Sequence, residues 1–251
     1  MKKILIGIVG IVALAATANA GLATFNNGGI GSNWSNSTNW LGQAQPASDT
    51  DSVSITGAAA VMDEAFRLGS GLTLTSTLGG TAIQMRLSTS DLTLGKGSTT
   101  TLGNVVILNN SAQGDITFEA GANISMNKLI IDNVLTTKWI ADANGVSAVN
   151  IADKLDLNSK GLGGPVVELD LAHYVLQDAV NGDTLTLYNY GSLILKGAET
   201  FKSVTATPGW TVSNVDYGTS AISVTVIPEP TTIGMLGLAS VVLLAARRFR
   251  R

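Results

Sequence analysis

The strongest constraint in this sequence is an alternation of period two. Leu72/Leu74, Ile83/Met85, Leu92/Leu94, Val105/Ile107, Ile116/Phe118 and Leu129/Ile131 are apolar pairs split by one residue, with Gly, Ser, Thr and Asn filling the intervals. Residues i and i+2 of an extended strand share a face, so each pair buries one side of a short strand and leaves the other in water. Neighbouring pairs start 9 to 13 residues apart, a spacing that predicts an all-β sandwich, barrel or solenoid. The short strands, the sparse charge between Leu68 and Val134, and corners rich in Gly or built on Asn109-Asn110 favour a β-solenoid or β-helix. In such a fold each coil buries two or three residues and stacks on the next.

Composition narrows the chemistry. Only 13% of the 251 residues are charged and 5% are aromatic, and cysteine is absent, which excludes disulfides, thiolate catalysis and Cys-ligated zinc. With Lys2, Lys3 and the four terminal arginines set aside, nine basic residues remain between Gly21 and Ile227 against 17 acidic ones. A net charge near −8 on that stretch disfavours a nucleic-acid partner.

The two ends are of another kind. Met1-Lys2-Lys3 is a basic start, Ile4 to Ala16 is an apolar run, and Ala18-Asn19-Ala20 is a small-x-small cleavage site before Gly21; together they predict a secretory signal peptide over 1–20, a substrate of the Sec machinery and signal peptidase. At the other end, Thr231 to Ala246 is uncharged and precedes Arg247, Arg248, Arg250 and Arg251. A helix over 231–246 is about 24 Å long, short for a bilayer core but extended by snorkelling arginines. The arginine cluster predicts a cytoplasmic C-terminus, with the bulk of the chain across the inner membrane.

Pro228-Glu229-Pro230 stands directly before that apolar run. The order of Pro-Glu-Pro, short apolar helix and terminal arginine cluster resembles the PEP-CTERM sorting signal of Gram-negative bacteria. The resemblance implies that residues 228–251 are a sorting tail recognised and removed by an exosortase, a membrane-embedded cysteine protease or transpeptidase. It also implies a cell-surface or extracellular destination and a role with extracellular polysaccharide or biofilm. The two prolines bar regular structure around Glu229 and leave an extended segment that a protease can engage.

Residues 21–227 are then expected to form an all-β extracytoplasmic domain. Trp34 and Trp40, in the run Asn33-Trp34-Ser35-Asn36-Ser37-Thr38-Asn39-Trp40 before Pro46, Asp49, Asp51 and Val53-Ser54-Ile55, look like the opening of surface β-solenoids and are expected to cap the open end of the core. Gly182-Asp183-Thr184-Leu185-Thr186-Leu187, the later Trp210 and Tyr217-Gly218 resemble the closing segment of PEP-CTERM and autotransporter-like passengers. Leu171, Val175, Leu176 and Ala179 have helical spacing and predict a short capping helix over 171–180. The polar, weakly patterned stretch from Asp142 to Lys160 is the expected internal boundary.

Catalytic constellations are sparse. His173 is the sole histidine and no G-x-S-x-G occurs, so neither a Ser-His-Asp site nor a His-rich metal site is expected. Glu168 and Asp170 project from one face of a predicted strand, and Asp153/Asp156 and Asp49/Asp51 are the other close carboxylate pairs. No calcium-loop motif is present, and no cofactor is expected. The leading expectation is a non-enzymatic surface or matrix protein. Its alternatives are a carbohydrate-active enzyme working through Glu168 and Asp170 and a lectin-like module working through Trp34 or Trp40.

Overall fold

Alternation decides which side of a strand faces inward; backbone hydrogen bonding decides which strands meet. The computed structural model describes residues 21–26, 33–56, 60–76, 83–87, 91–107, 115–131, 136–157, 165–178, 182–194 and 201–229. Strands make up 62% of it, without an α-helix among the described residues. In chain order they are β1 (Gly21–Phe25), β2 (Asp51–Ile55), β3 (Ala60–Met62), β4 (Phe66–Leu68), β5 (Thr73–Ser76), β6 (Ile83–Leu87), β7 (Leu92–Leu94), β8 (Thr99–Ile107) and β9 (Ile116–Glu119). They continue as β10 (Asn123–Ile131), β11 (Thr136–Ile140), β12 (Val149–Asp156), β13 (Val166–Asp170), β14 (Asp183–Ile194), β15 (Ser203–Ala206), β16 (Trp210–Tyr217) and β17 (Ala221–Pro228).

Consecutive strands rarely pair. The chain passes between an 11-stranded sheet, ordered β1-β2-β5-β8-β10-β12-β14-β17-β16 with β3 and β6 branching from β8, and a six-stranded sheet, ordered β15-β13-β11-β9-β7-β4. Parallel neighbours need a crossover, and here, from β2 to β14, the crossover between paired strands of the large sheet contains a strand of the small one. Thr73 lies beside Thr99, Thr99 beside Asn123, and Ile124 beside Val149. Among the named strands, β14-β17-β16 pair antiparallel.

The all-β expectation therefore holds, but the sheets do not form a regular solenoid. The separation between stacked residues is irregular, from 21 between Ser52 and Thr73 to 39 between Asn150 and Asn189, and the antiparallel strands interrupt the stacking. The pairs of the sequence reading sit 9 to 13 residues apart because successive pairs belong to different sheets or to different halves of the large one.

Glycine sets the corners where the small sheet hands the chain back to the large one. Turns close from Leu72 N to Gly69 O, Ser98 N to Gly95 O and Ala122 N to Glu119 O. The third residue of these turns, Gly97 or Gly121 for example, has φ of 76° or 85°, which an L side chain resists. A Cβ on Gly97 would also come within 2.6 Å of Ser70 Oγ. The turns stack through their own backbone, Gly71 N to Gly97 O and Gly97 N to Gly121 O, each at 3.0 Å.

Between the sheets lies one apolar core, and aromatic rings run along much of it. Phe118 packs on Trp139 with centroids 4.9 Å apart, Trp139 meets Tyr188 edge-on at 5.2 Å, and Tyr188, Phe201 and Tyr217 continue the contact. Such pairs add about 0.5–1.5 kcal/mol each beyond burial.

Two expectations are corrected. Residues 142–160 are not a boundary, because β12 occupies a central place in the large sheet between β10 and β14. The described part of the predicted helix, 171–178, is a turn and irregular chain; Leu171 is buried, but Val175, which a helix would have aimed at the core, is 55% exposed. Residue 179 and the tail helix 231–246 lie outside the described residues, as does the signal segment 1–20.

Trp139 is fully buried, and its Nε1 has no hydrogen-bond partner among the described residues. Trp139→Ala is expected to cost about 3–5 kcal/mol through the cavity it leaves. Trp139→Phe keeps ring contacts and removes an unsatisfied donor, so it should cost far less; chemical denaturation of both variants checks the contrast.

Candidate functional site

Trp34 and Trp40 are brought together at the β1 end of the core. Their rings meet edge-on at 4.6 Å, Phe25 packs on Trp40 at 5.1 Å and Phe66 on Trp34 at 5.2 Å. Trp40 Nε1 donates to Trp34 O at 2.8 Å, and each indole is only 2% exposed. Asn36, at the start of the 3-10 turn Ser37–Asn39, accepts from Thr38 N and holds the segment that carries Trp40. Neither ring offers a face to a sugar, so the arrangement has the geometry of a cap.

Glu168 and Asp170 do share the outer face of β13, alternating with buried Val167 and Leu169. With Lys138, Thr205 and Thr207 they line a cleft of about 240 Å³. Lys138 lies beside Glu168 in the ladder, and its Nζ is 3.8 Å from Asp170 Oδ2. Asp170 Oδ1 accepts from Ala172 N at 3.2 Å. Further along this face, Asp115 N donates to Asp91 Oδ1, and burial first, then the Asp91 charge, pushes the Asp115 carboxyl above the usual aspartate range. The cleft thus holds two carboxylates with a lysine set against them.

The other pairs are structural partners. Asp51 accepts from Ala47 N and Gly21 N, and Asp49 pairs with Arg67. Arg67 also grips both oxygens of Glu119 at 3.0 Å. Asp153 pairs with Lys128 and Asp156 with Lys154. His173 is exposed in the turn after β13. Among the described residues, no three His, Asp or Glu side chains converge as metal ligands.

Pro228 closes β17, paired with Trp210, and Glu229 N donates to Gly209 O at 3.0 Å. The sheet therefore reaches one residue further than the expected domain end, because a terminal strand position tolerates proline. Pro230, Arg247, Arg248, Arg250 and Arg251, with Ala18 and Ala20, lie outside the described residues. No helix among the described residues is long and apolar enough to cross a membrane.

Two features escaped the sequence reading. Asp183 clamps the loop that replaces the expected helix: Oδ2 accepts from Tyr174 OH and Gln177 N, both at 2.6 Å, and Oδ1 from Asp178 N at 2.8 Å. Burial raises the energy of that carboxylate, yet these donors outweigh it and hold its pKa below the ordinary aspartate value. The Tyr174 phenol is pushed up, by burial first and then by Asp183. The signal was the Gly182-Asp183-Thr184 motif, whose aspartate precedes an apolar alternation.

The second feature is a row on the outer face of the large sheet. Thr24, Ser54, Thr75, Thr101, Ser125, Asn150 and Asn189 follow one another in register. Asn189 Nδ2 donates to Asn150 Oδ1 at 2.9 Å, and Asn150 Nδ2 to Ile124 O at 3.3 Å. Where β10 and β12 shift register, the row enters a groove of about 530 Å³.

Comparison with protein-family models, with curated proteins and with solved structures finds no match to this chain.

Trp34→Ala or Trp40→Ala should lower stability by about 3–5 kcal/mol, whereas Trp40→Phe should lose mainly its buried hydrogen bond, about 1 kcal/mol; thermal and urea melts distinguish them. For Asp183, whose native pKa is lowered, the contribution to stability is complete above the unfolded value of about 3.9 and is lost as pH falls through the native value. Asp183→Asn should flatten that acid limb, and melting curves between neutral pH and strong acid measure it.

Proposed function

We propose that this chain is an exported, non-enzymatic surface or matrix protein that works by presenting its β framework to extracellular polysaccharide, as in a biofilm. In this reading Sec exports it, signal peptidase cuts after Ala20, and residues 231–246 hold it in the inner membrane with Arg247, Arg248, Arg250 and Arg251 on the cytoplasmic side. An exosortase then engages Pro228-Glu229-Pro230 and removes the tail.

The observation that carries the proposal is the carboxylate partner that the fold offers an amino group at Gly21. β1 opens at Gly21, the first residue after the Ala18-Asn19-Ala20 site, and Gly21 N lies 3.2 Å from Asp51 Oδ1. A Cβ at that position would fall 2.6 Å from the same oxygen, so the glycine suits the site. A new amino terminus there would gain a carboxylate partner. At the other end Glu229 N donates to Gly209 O, so the residue before Pro230 is still bonded to the sheet. The described strand pairing lies between the two expected cuts.

A second reading, a carbohydrate-active enzyme, is favoured by the cleft at Glu168 and Asp170. Polysaccharide chain cleavage that disappears in Glu168→Gln would establish it in place of the scaffold.

Fractionation of producing cells with intact-mass measurement tests the leading reading. The surface or extracellular species should begin at Gly21 and lack the arginine tail, and replacing Pro228 and Glu229 with alanine should leave the tail attached. A mature species that keeps its C-terminal arginine peptide overturns the processing.

A further inference from the structure

We infer that the groove at Asn150 and Asn189 is a binding site for a neutral, polyhydroxylated chain, and that the row leading into it extends that site along the stack. The inference rests on the polysaccharide association proposed above and gives it an address on the molecule.

The groove has a definite chemical character. Ser125, Asn150, Asn189 and Ser220 supply its polar side chains, and Met126, Ile151, Ala152, Tyr190 and Gly191 line the rest. No lining residue carries a charge, so the groove has no cation for a phosphate or acidic sugar and no carboxylate for a metal ion. It also lacks an exposed large apolar side chain, which disfavours a lipid or an apolar peptide side chain. A carboxamide presents donor and acceptor together, and a hydroxyl does both as well. That is the complement of a neutral sugar, whose hydroxyls need donors and acceptors in equal measure.

Part of this capacity is already committed, and the commitment fixes geometry. Asn189 gives one N–H to Asn150 Oδ1, and Asn150 gives one to Ile124 O. Each amide group is thereby oriented and keeps a second N–H; the Asn189 carbonyl oxygen and the Ser125 and Ser220 hydroxyls have no partner among the described residues. Preorganised polar groups lose little freedom when a ligand arrives.

The groove exists because β10 and β12 shift register, at Met126/Lys128 and Ile151/Lys154, where the face bends. Gly191 lets β14 follow that bend, since a Cβ there would lie 2.6 Å from Ala152 O. Beyond the groove, Thr101, Thr75, Ser54 and Thr24 repeat at the inter-strand spacing of about 4.8 Å. An extended glycan laid along the stack would meet one hydroxyl or carboxamide per strand, a periodic match that a compact ligand cannot use.

The test uses the full chain in a detergent without a sugar headgroup, with cellohexaose and maltohexaose as neutral probes and hexagalacturonate as the acidic one, followed by calorimetry. At least one neutral hexasaccharide should bind in the millimolar range or tighter, with little dependence on salt, and Asn150→Ala with Asn189→Ala should weaken it about tenfold or more. Ser220→Tyr, which fills the groove without touching the amide ladder, should do the same, and melting curves show whether each variant is folded. Absence of neutral binding, tighter binding of hexagalacturonate, or full affinity in folded Ser220→Tyr overturns the inference. Failure of export in the fractionation experiment would leave this binding result standing, so the two readings fail separately.

Discussion

Every parallel neighbour in this protein is a full pass of the chain away, and that requirement organises the rest. A strand such as β8 cannot satisfy its backbone groups with the strand before or after it. It waits for β10, which arrives only after the chain has crossed to β9 and returned. The return must be short and of fixed geometry, which explains why the corners carry glycines with positive φ and bond to one another. The interior must fill the space enclosed by each pass, which explains the apolar pairs and the aromatic contacts from Phe118 through Trp139 to Tyr188.

A stack of parallel strands has two ends, and each exposes a ladder edge that invites unwanted pairing. The ends are managed differently. At the β1 end, the Trp34 and Trp40 segment folds over the core and Trp34 N donates to Val61 O at 2.8 Å. At the other end the chain reverses direction: β17 pairs antiparallel with β14, and β16 then covers β17. The longer excursion between β12 and β14 carries the loop that Asp183 ties down. That loop could not be a helix while three of its donors converge on one carboxylate.

Much of the inward face was legible in the sequence because period-two alternation directly reports side. Leu92/Leu94 and Ile116/Phe118 are buried as the pattern implies. Pairing order was not legible, because alternation says which face is inside and nothing about which strand lies alongside. A weaker signal was present: Asp91-Leu-Thr-Leu-Gly-Lys-Gly-Ser-Thr-Thr-Thr-Leu102 aligns with Asp115-Ile-Thr-Phe-Glu-Ala-Gly-Ala-Asn-Ile-Ser-Met126. Position by position, aspartates, inward apolar residues and corner glycines coincide. The 171–180 segment misled for the opposite reason, since four apolar residues at helical spacing fit a helix locally while Asp183, distant in the pattern, decides the loop. The row from Thr24 to Asn189 could only emerge once register was known.

In-register stacking also accounts for the low charge content from which much of the chemistry follows. Equivalent residues of adjacent strands stand about 4.8 Å apart, so a charge repeated at one position would face its own sign along the stack, and directly opposed like charges are destabilising. Uncharged Ser, Thr and Asn escape that penalty and gain neighbours to bond with, as Asn150 and Asn189 do. Charges survive mainly where signs alternate: Arg67 between Asp49 and Glu119, Lys96 with Asp142, Lys138 beside Glu168. Lys128 and Lys154 do lie side by side, but each has its own carboxylate, Asp153 and Asp156. Asp91 and Asp115 also lie close together, and there burial first, then the Asp91 charge, pushes the Asp115 carboxyl above its ordinary value. The surface that results is rich in hydroxyls and amides because the backbone ladder permits little else, and a neutral hydrogen-bonding face is a consequence of the fold before it is a feature available for binding.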